Sequence, residues 1–250
     1  MPVGIVCAIP QEFRHLEAEL ATATSEVHGG RSFARGRLGD REVVLVEAGI
    51  GKVNAAAVTT LLVDRFGCDP VVLSGVAGGL DPTLHIGDVV VAERAIQHDA
   101  GVMEHGRLAV YQAGHVPFFN PTDRLGFAPP PELLARVRDR LADFTLPPFP
   151  RRAGGAERPP RIVFGTVLTG DQYVHCEVTR ERLHRELGGQ AVEMEGAALA
   201  QVCEAFGVGW LVIRALSDLA GRDARFDFAA FVDEVARDAA AILHHLLPVF

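Results

Sequence analysis

The 250-residue sequence has little positive charge and few Trp or Tyr side chains. It contains one Trp and two Tyr, and its 24 Lys and Arg against 32 Asp and Glu give a net charge of -8. Without a basic stripe to neutralise phosphates, a nucleic acid is not an expected partner. No uncharged run approaches the roughly 18 residues that a membrane span needs, and no secretory signal pattern opens the chain. We therefore predict a cytoplasmic protein with no membrane association.

Motifs for disulfides, metals and cofactors are also missing. The four cysteines are scattered without C-x-x-C spacing, which is typical of reduced, packed thiols. The ten histidines include no H-E-x-x-H, and the pair His244-His245 falls on a predicted terminal helix, where surface exposure is the simpler interpretation. We expect no metal and no cofactor.

The sequence lacks required residues of two nucleotide-binding motifs and of one hydrolase motif. Around Gly49-Ile50-Gly51-Lys52, a P-loop would need a glycine where Val46 stands and Ser or Thr where Val53 stands. Asn54 occupies the third glycine of a dinucleotide fingerprint, and Ser74 lacks the preceding glycine of a nucleophile elbow. The glycines at 49 and 51 instead predict a tight strand-to-helix turn.

Hydrophobic periodicity predicts strands that alternate with helices. The predicted strands cover 3–9, 32–38, 41–48, 71–76, 88–96, 161–168, 191–194 and 210–216. The predicted helices cover 11–20, 49–66, 132–143, 178–187, 195–206 and 226–247. This alternation predicts an α/β protein with one domain over 1–250. We expect a three-layer α/β/α sandwich around a mixed, mainly parallel central sheet, with antiparallel strands contributed by a hairpin at Gly39-Asp40.

Prolines cluster between about 101 and 160. We predict a proline-rich, partly mobile insertion there, built of loops around the one helix at 132–143.

Acidic side chains follow three of the predicted strands. Glu12 comes just after the first, Glu193 and Glu195 end the strand at 191–194, and Asp218 follows the strand at 210–216. In open α/β sheets, small molecules bind beyond the carboxyl ends of the strands, so these acids predict a small-molecule site. Arg214, inside an apolar strand, needs a carboxylate partner, and Glu12 and Glu193 are available.

Each acid also has a simpler explanation. Glu195 could only favour the positive N-terminus of its helix, Asp218 could cap a turn, and Glu12 taken alone would be a surface residue of a helix. A glycine-rich turn at 75–79 and the segment 169–174 complete the candidate site.

Segments spread over most of the chain carry a resemblance to a known family. They are Gly4-Ile5-Val6 through Glu12, Gly49 to Val53, Ala77 to Leu80, Ile86 to Val90, His98-Asp99-Ala100, Gly170-Asp171, Val192 to Glu195, and Arg214 to Asp218. In order and spacing they resemble the purine nucleoside phosphorylase superfamily, and within it the nucleosidases of 5'-methylthioadenosine and S-adenosylhomocysteine. The resemblance implies a nucleoside phosphorylase-like fold, a homodimer, and a role in methionine salvage. It also implies a nucleoside substrate whose N-glycosidic bond is hydrolysed to adenine and a 5-substituted ribose.

The resemblance assigns roles to the acids. Glu195 would accept hydrogen bonds from the ribose 2' and 3' hydroxyls, with the Met194 backbone beside the sugar. Asp218 would protonate or hydrogen-bond N7 of the leaving base. Glu12, steadied by Arg214, would orient and deprotonate the attacking water.

Further residues are expected at the substrate. Tyr173 would stack on the purine, Val174 would offer backbone contacts, and Phe228 would line the pocket or belong to the core. The remaining expected contacts are Glu193, Ser217, Val76, Ala77 and Gly78.

The sequence departs from the family's pattern at Val76 and in the proline-rich insertion, and also at Pro10-Gln11, where the family commonly has acids. Three further activities stay open. Val76 stands where the family often has a small hydroxyl residue, and the insertion, with Phe118 and Phe119, replaces a loop that covers the partner's pocket in family dimers. A phosphorylase would need arginines around an anion, and a carboxylate such as Glu12 would repel phosphate. A futalosine-type nucleosidase is the second of these activities, and binding of a nucleoside without cleavage is the third.

Overall fold

A sheet of nine strands forms the centre of the computed structural model, which describes residues 1–148, 158–221 and 223–250. The strands are β1 Val3–Cys7, β2 Ala21–His28, β3 Arg31–Leu38, β4 Arg41–Glu47, β5 Val71–Gly79, β6 Val89–Gln97, β9 Ile162–Thr169, β10 Gly189–Glu193 and β11 Trp210–Asp218, with a separate hairpin of β7 Gly101–Glu104 and β8 Arg107–Val110. The helices are α1 Pro10–Glu17, α2 Lys52–Asp64, α3 Pro131–Leu141, α4 Glu177–Leu187, α5 Gly196–Phe206 and α6 Ala224–Leu246. Of the predicted insertion, residues 149–157 lie outside the described residues.

The strand order is β10-β9-β6-β11-β5-β1-β4-β3-β2, and the sheet is mixed. The pairs β1–β4, β1–β5, β5–β11, β6–β9 and β9–β10 are parallel, whereas β2–β3, β3–β4, β6–β11 and β5–β10 are antiparallel. The predicted α/β architecture and the hairpin at Gly39-Asp40 are confirmed. The additional β5–β10 pairing closes five of the strands on themselves, which local sequence patterns do not reveal.

Helices cover both faces of this sheet. One apolar cluster joins the sheet to α3 and α6 through side chains such as Val137, Val235 and Leu243, while a second joins it to α2 and α5 through Leu62 and Leu199. The central strands β5 and β11 are buried along nearly their whole length, as expected for strands between two helical layers. The packed sheet and helices form the scaffold from which the loops at the strand ends project their side chains.

The structure corrects the predicted glycine turn at 75–79. Strand β5 continues to Gly79, since Gly78 and Gly79 pair with Val192 and Ala191 of β10. A Cβ on Gly78 would lie 3.0 Å from Asp218 Oδ1, so the glycine permits close approach of two strands rather than a turn.

Two further strand elements escaped prediction. Strand β2 is exposed along nearly its whole length and lies at the sheet edge, so it has no buried face to give an alternating pattern. The β7–β8 hairpin lies inside the predicted loop-rich insertion; its turn residues His105 and Gly106 have φ of 50° and 75°. Positive φ at both central residues is the geometry of a two-residue hairpin turn. Within the described part of the chain, no helix is both long and apolar enough to cross a bilayer.

Candidate active site

A cavity opens where β1, β5, β10 and β11 end, and it holds about 660 Å³ of empty space, including space open to solvent. Its lining residues are Ala8, Ile9, Glu12, Ile50, Val76, Ala77, Gly78, Tyr173, Val192, Glu193, Met194, Glu195, Ser217, Asp218 and Phe228. A smaller hollow of about 250 Å³ shares several of these residues and adds Gln172 and Val174. The mixture of apolar walls with a few polar groups is typical of a small-molecule site.

Glu12 enters the cavity from the first turn of α1. Its Oε2 accepts hydrogen bonds from the Ala8 N–H at 2.6 Å and the Ile9 N–H at 3.2 Å, so the side chain caps its own helix. Its Oε1 accepts the Val76 N–H at 2.8 Å. Burial raises the pKa of Glu12 above its ordinary value, while the Arg214 charge and these N–H donors oppose the rise.

Arg214 lies fully buried beneath the cavity and lines neither hollow. Its Nη2 donates to Glu193 and, at 2.9 Å, to Glu195 Oε2; its Nη1 lies 3.7 Å from Glu12 Oε1. One guanidinium therefore neutralises part of the charge of three carboxylates. The expected partner Glu193 is present, and Glu195 rather than Glu12 makes the second hydrogen bond.

Glu193 has its oxygens occupied by protein donors. The Glu195 N–H at 3.1 Å, the Gly196 N–H at 2.8 Å, the Thr169 hydroxyl and Arg214 all donate to it. These contacts place Glu193 at the start of α5, where a carboxylate satisfies helix N–H groups without partners of their own. Although its side chain borders the cavity, its bonds fix the β10–α5 turn that carries Glu195.

Glu195 is held at both carboxylate oxygens. Oε1 accepts the Gly51 N–H at 2.8 Å, and Oε2 accepts from Arg214. Burial raises the pKa of Glu195 to about 7, with Glu193 adding to the rise and Arg214 opposing it.

Asp218 ends β11 on another wall of the cavity. Its Oδ1 accepts the Ala220 N–H at 2.8 Å and its Oδ2 accepts the Ser217 hydroxyl at 3.0 Å. Burial raises the pKa of Asp218 to about 6, and these two hydrogen bonds oppose the rise. A carboxyl group with this pKa keeps a protonated fraction close to neutral pH that an ordinary Asp lacks, as a general acid requires.

Aromatic rings border the open part of the cavity. Tyr173 follows β9 and is 46% exposed; its ring packs edge-on against Phe228 of α6 with centroids 6.4 Å apart. Phe228 is half-buried, lines the cavity and also contacts the apolar core. The two alternatives from the sequence, a pocket residue and a core residue, therefore each describe part of its environment. Val174 is buried and borders the smaller hollow.

The structure brings together nearly all of the predicted site residues. Only Arg214 lies below the cavity rather than on its wall. Sequence reasoning missed Ala8, Ile9, Ile50 and Val192 as lining residues, and it missed Thr169 as a support for Glu193. Ala8 and Ile9 come shortly before Glu12, and Ile50 lies in the Gly-x-Gly turn, so proximity to those features was the available signal.

The charge of the site is one-sided. Four acids border the cavity, and neither hollow has a Lys or Arg among its described lining residues. No group of three or more His, Cys, Asp or Glu side chains within 1–148, 158–221 and 223–250 is arranged to hold a metal ion. The walls thus present hydrogen-bond acceptors and titratable acids to a ligand, and no cation to receive a phosphate.

Known proteins match this chain along its full length. The model of the phosphorylase superfamily matches residues 2–248. The 5'-methylthioadenosine/S-adenosylhomocysteine nucleosidase of Mycobacterium tuberculosis is 56% identical over 247 residues, 99% of this chain and 97% of that protein.

Solved structures share the fold. The Streptococcus pneumoniae MTA/SAH nucleosidase in complex with 8-aminoadenine has a TM-score of 0.84 and 31% identity, covering 100% of both chains. The futalosine hydrolase of Helicobacter pylori has a TM-score of 0.82 and 28% identity, covering 100% of this chain and 98% of that one. The chain belongs to the phosphorylase superfamily and, within it, to the family of the 5'-methylthioadenosine/S-adenosylhomocysteine nucleosidases.

Proposed function

We propose that this protein hydrolyses the N-glycosidic bond of 5'-methylthioadenosine and S-adenosylhomocysteine, releasing adenine and the 5-substituted ribose. The observation that carries the proposal is the convergence of Glu12, Glu195 and Asp218 on one cavity with no cation on its described walls. The 56% identity to a nucleosidase with these two substrates in its name supports the same activity.

The reaction follows from where charge develops. As the bond between the anomeric carbon and the base nitrogen breaks, the sugar gains positive charge and the base gains negative charge. Asp218 delivers its proton to N7 of the leaving adenine, which its pKa of about 6 permits near neutral pH. Tyr173 packs on the purine, and Ser217 orients the Asp218 carboxyl through the 3.0 Å hydrogen bond.

Glu195 and Glu12 act on the sugar side. Glu195 accepts hydrogen bonds from the ribose hydroxyls, and its negative charge stabilises the ribosyl cation. Glu12 accepts a proton from the attacking water while the water oxygen bonds to the anomeric carbon. Arg214 touches neither reactant; its charge opposes the rise that burial causes in the pKa of Glu12 and Glu195, and so favours their ionised forms.

The lining charges favour water over phosphate as the nucleophile. A phosphorylase must hold an anion beside the anomeric carbon, where this chain places the Glu12 carboxylate. A phosphorolytic reaction is therefore less favoured than hydrolysis.

The direct test is incubation of the purified protein with 5'-methylthioadenosine in phosphate-free buffer, followed by chromatography for free adenine. We expect adenine in equal amount to the 5-methylthioribose formed. Adenine release that depends on added phosphate would show a phosphorylase, and tight binding without release would show a receptor.

Futalosine is the second candidate substrate, because the futalosine hydrolase fold superposes with a TM-score of 0.82. Its base carries an oxygen where adenine carries the exocyclic amine. Asp218, as an acceptor for an amine, favours adenine. Parallel assays of 5'-methylthioadenosine and futalosine at equal concentration compare the two activities, and a higher kcat/KM for futalosine would reverse the assignment.

We further propose a cytoplasmic homodimer that acts in methionine salvage. Four free thiols fit a reducing compartment. Phe118 and Phe119 are 84% and 80% exposed on the 101–160 segment, and such aromatic side chains are suited to contact a second subunit. Light scattering of the purified protein measures the subunit number, and a monomer would reject the dimer.

A further inference from the structure

Three charged side chains form a closed ring beside the cavity without entering it. Lys52 Nζ donates to Asp99 Oδ1 at 2.7 Å, and Asp99 Oδ2 accepts the Asp171 N–H at 2.9 Å. Asp171 Oδ1 then accepts the Lys52 N–H at 2.8 Å. The ring ties together three segments that are distant in sequence: the start of α2, the residues after β6 and the residues after β9.

The ring replaces a missing helix cap. Gly51 precedes α2 and has no side chain to satisfy the first N–H groups of that helix, so Asp171 supplies the carboxylate from a different segment. Gly51 has φ of 104°, and a Cβ there would lie 3.0 Å from Asp171 Oδ1. Glycine is therefore required both by the backbone conformation and by the approach of Asp171.

A partly buried ion pair between Lys52 and Asp99 fixes the position of the ring. The side chains of Lys52 and Asp99 are 20% and 15% exposed. Although burial opposes it, the hydrogen bond from Lys52 lowers the pKa of Asp99 below its ordinary value, so this carboxylate is charged at neutral pH. Lys52 Nζ also donates to Gln97 Oε1 at 3.2 Å, which fixes its position further.

The ring reaches the cavity through Gly51. The Gly51 N–H, one residue from the ring's Lys52 N–H, donates to Glu195 Oε1 at 2.8 Å. The neighbouring Ile50 lines the cavity wall. A shift of the ring therefore moves the donor that orients one oxygen of Glu195, and a misplacement of about 1 Å in such a site lowers rates by about 100-fold.

We propose that Lys52, Asp99 and Asp171 are positioning residues that hold the Gly51 N–H against Glu195, and so set the carboxylate that binds the ribose hydroxyls. The sugar part of this inference rests on the proposed function. None of the three side chains lines the cavity, so they act through Gly51 and not on the substrate.

The test compares Asp171→Ala with Asp171→Asn, which keeps an oxygen acceptor for the Lys52 N–H. The readout is the ratio of kcat/KM for 5'-methylthioadenosine to that for its 2'-deoxy analogue, because only the former offers Glu195 both hydroxyls. In Asp171→Ala we expect kcat/KM for the ribose substrate to fall about 10- to 100-fold and the ratio to shrink. In Asp171→Asn we expect kcat/KM for the ribose substrate and the substrate ratio to stay close to the wild-type values. Lys52→Met breaks the ring at a different contact, and we expect it to lower both quantities as Asp171→Ala does.

Asp69→Ala is the matched control. Asp69 Oδ1 accepts the Gly209 N–H at 2.9 Å, also joining two distant segments through a carboxylate, but at the opposite end of β5 and β11. We expect Asp69→Ala to lower the melting temperature and leave the substrate ratio unchanged. If Asp171→Ala and Lys52→Met behave like Asp69→Ala, the ring is only structural and the inference is wrong.

A second measurement does not depend on turnover. Loss of the Gly51 donor removes a bond to the ionised form, so the Glu195 pKa rises in Asp171→Ala. Carbon NMR titration of labelled Glu carboxyls, assigned with Glu195→Gln, measures this pKa. Wild-type protein that releases no adenine contradicts the proposed function, while an unmoved Glu195 pKa in Asp171→Ala contradicts the positioning ring.

Discussion

Glu12 is subject to two opposing influences on its protonation. Burial favours the neutral acid, whereas three N–H donors and the charge of Arg214, 3.7 Å away, favour the carboxylate. This balance suits a group that must take up a proton during the reaction and release it afterwards.

Replacement of Glu12 with Gln separates binding from chemistry. Gln keeps the side-chain shape and an oxygen that can accept the Val76 N–H, but it cannot take a proton from water. We expect kcat to fall by about 10²- to 10⁴-fold while the Kd of a non-cleavable adenine nucleoside analogue stays within about threefold. Steady-state kinetics and calorimetry measure the two quantities, and a fully active variant would remove Glu12 from the mechanism.

Asp218 sets the alkaline limit of activity in this mechanism. Its proton is available below its pKa of about 6 and is lost as the pH rises through that value. Because the mechanism also needs the ionised form of Glu195, whose pKa is about 7, we expect kcat/KM of the wild type to decline above about pH 7. We expect Asp218→Asn to lower kcat by about 10²- to 10⁴-fold and to abolish that decline. Rates measured from pH 5 to 9 test both, with Asp69→Asn as a carboxylate-to-amide control outside the site.

The sequence predicted side-chain contacts best where a buried charge needs a partner of opposite charge. Arg214 in an apolar strand required carboxylates, and the structure supplies Glu193 and Glu195. The sequence alone could not rank Glu12 below Glu195, because the choice depends on how β10 and β11 approach through β5.

The end of strand β5 was predicted to be a turn because it is rich in glycine. In the structure these glycines make room for neighbouring side chains and strands. The 75–79 segment has the composition of a turn, yet Gly75, Gly78 and Gly79 each face a side chain or strand that a Cβ would approach closely. At Gly75 a Cβ would collide with Glu12 Oε1 and lie 2.6 Å from Arg214 Nη1. Long-range contacts of this kind are invisible to local patterns, as is the exposed edge strand β2.

Gly75→Ala tests this interpretation of β5. The added methyl must displace Glu12 or Arg214, so we expect the free energy of unfolding to drop by about 1 to 3 kcal/mol and activity to fall with it. Gly209→Ala is the control just before β11, where a Cβ would find its nearest atom at 3.3 Å. Denaturant melts measure stability, and equal stability of Gly75→Ala and wild type would contradict the tight packing.

Among the described residues of the molecule, Arg214 is the one buried arginine, and the buried acids outnumber it. Glu12, Glu193, Glu195 and Asp218 surround the cavity. Burial raises the pKa of Glu12, Glu195 and Asp218, and it raises the pKa of Asp238 in α6 to about 6. Buried acids with raised pKa values are useful for catalysis, but each one opposes folding once it ionises. The site and the stability of the ligand-free protein are thereby linked through pH.

The sign of that link follows from the raised pKa values of Glu195, about 7, and Asp218, about 6. An acid whose pKa is higher folded than unfolded stabilises the fold below its unfolded value, and this stabilisation is lost as the pH rises through the folded value. Asp88, Asp99 and Asp233, whose pKa values are lowered, change their contribution only in more acidic solution. Between about pH 4 and pH 7, Glu195 and Asp218 therefore contribute less to stability as the pH rises.

We expect Glu195→Gln/Asp218→Asn to be more stable than wild type at pH 8, by about 2 to 3 kcal/mol per group, and equally stable at pH 4. Asp238 is unchanged in this variant, so the pH dependence of stability that it causes remains. The difference between the two proteins therefore measures the pH dependence that Glu195 and Asp218 cause. Urea melts of both proteins across this pH range measure the difference. Parallel stability curves would mean that the two carboxyls ionise as freely in the folded protein as in the unfolded chain. The acid that this mechanism assigns to Asp218 would then be missing at neutral pH.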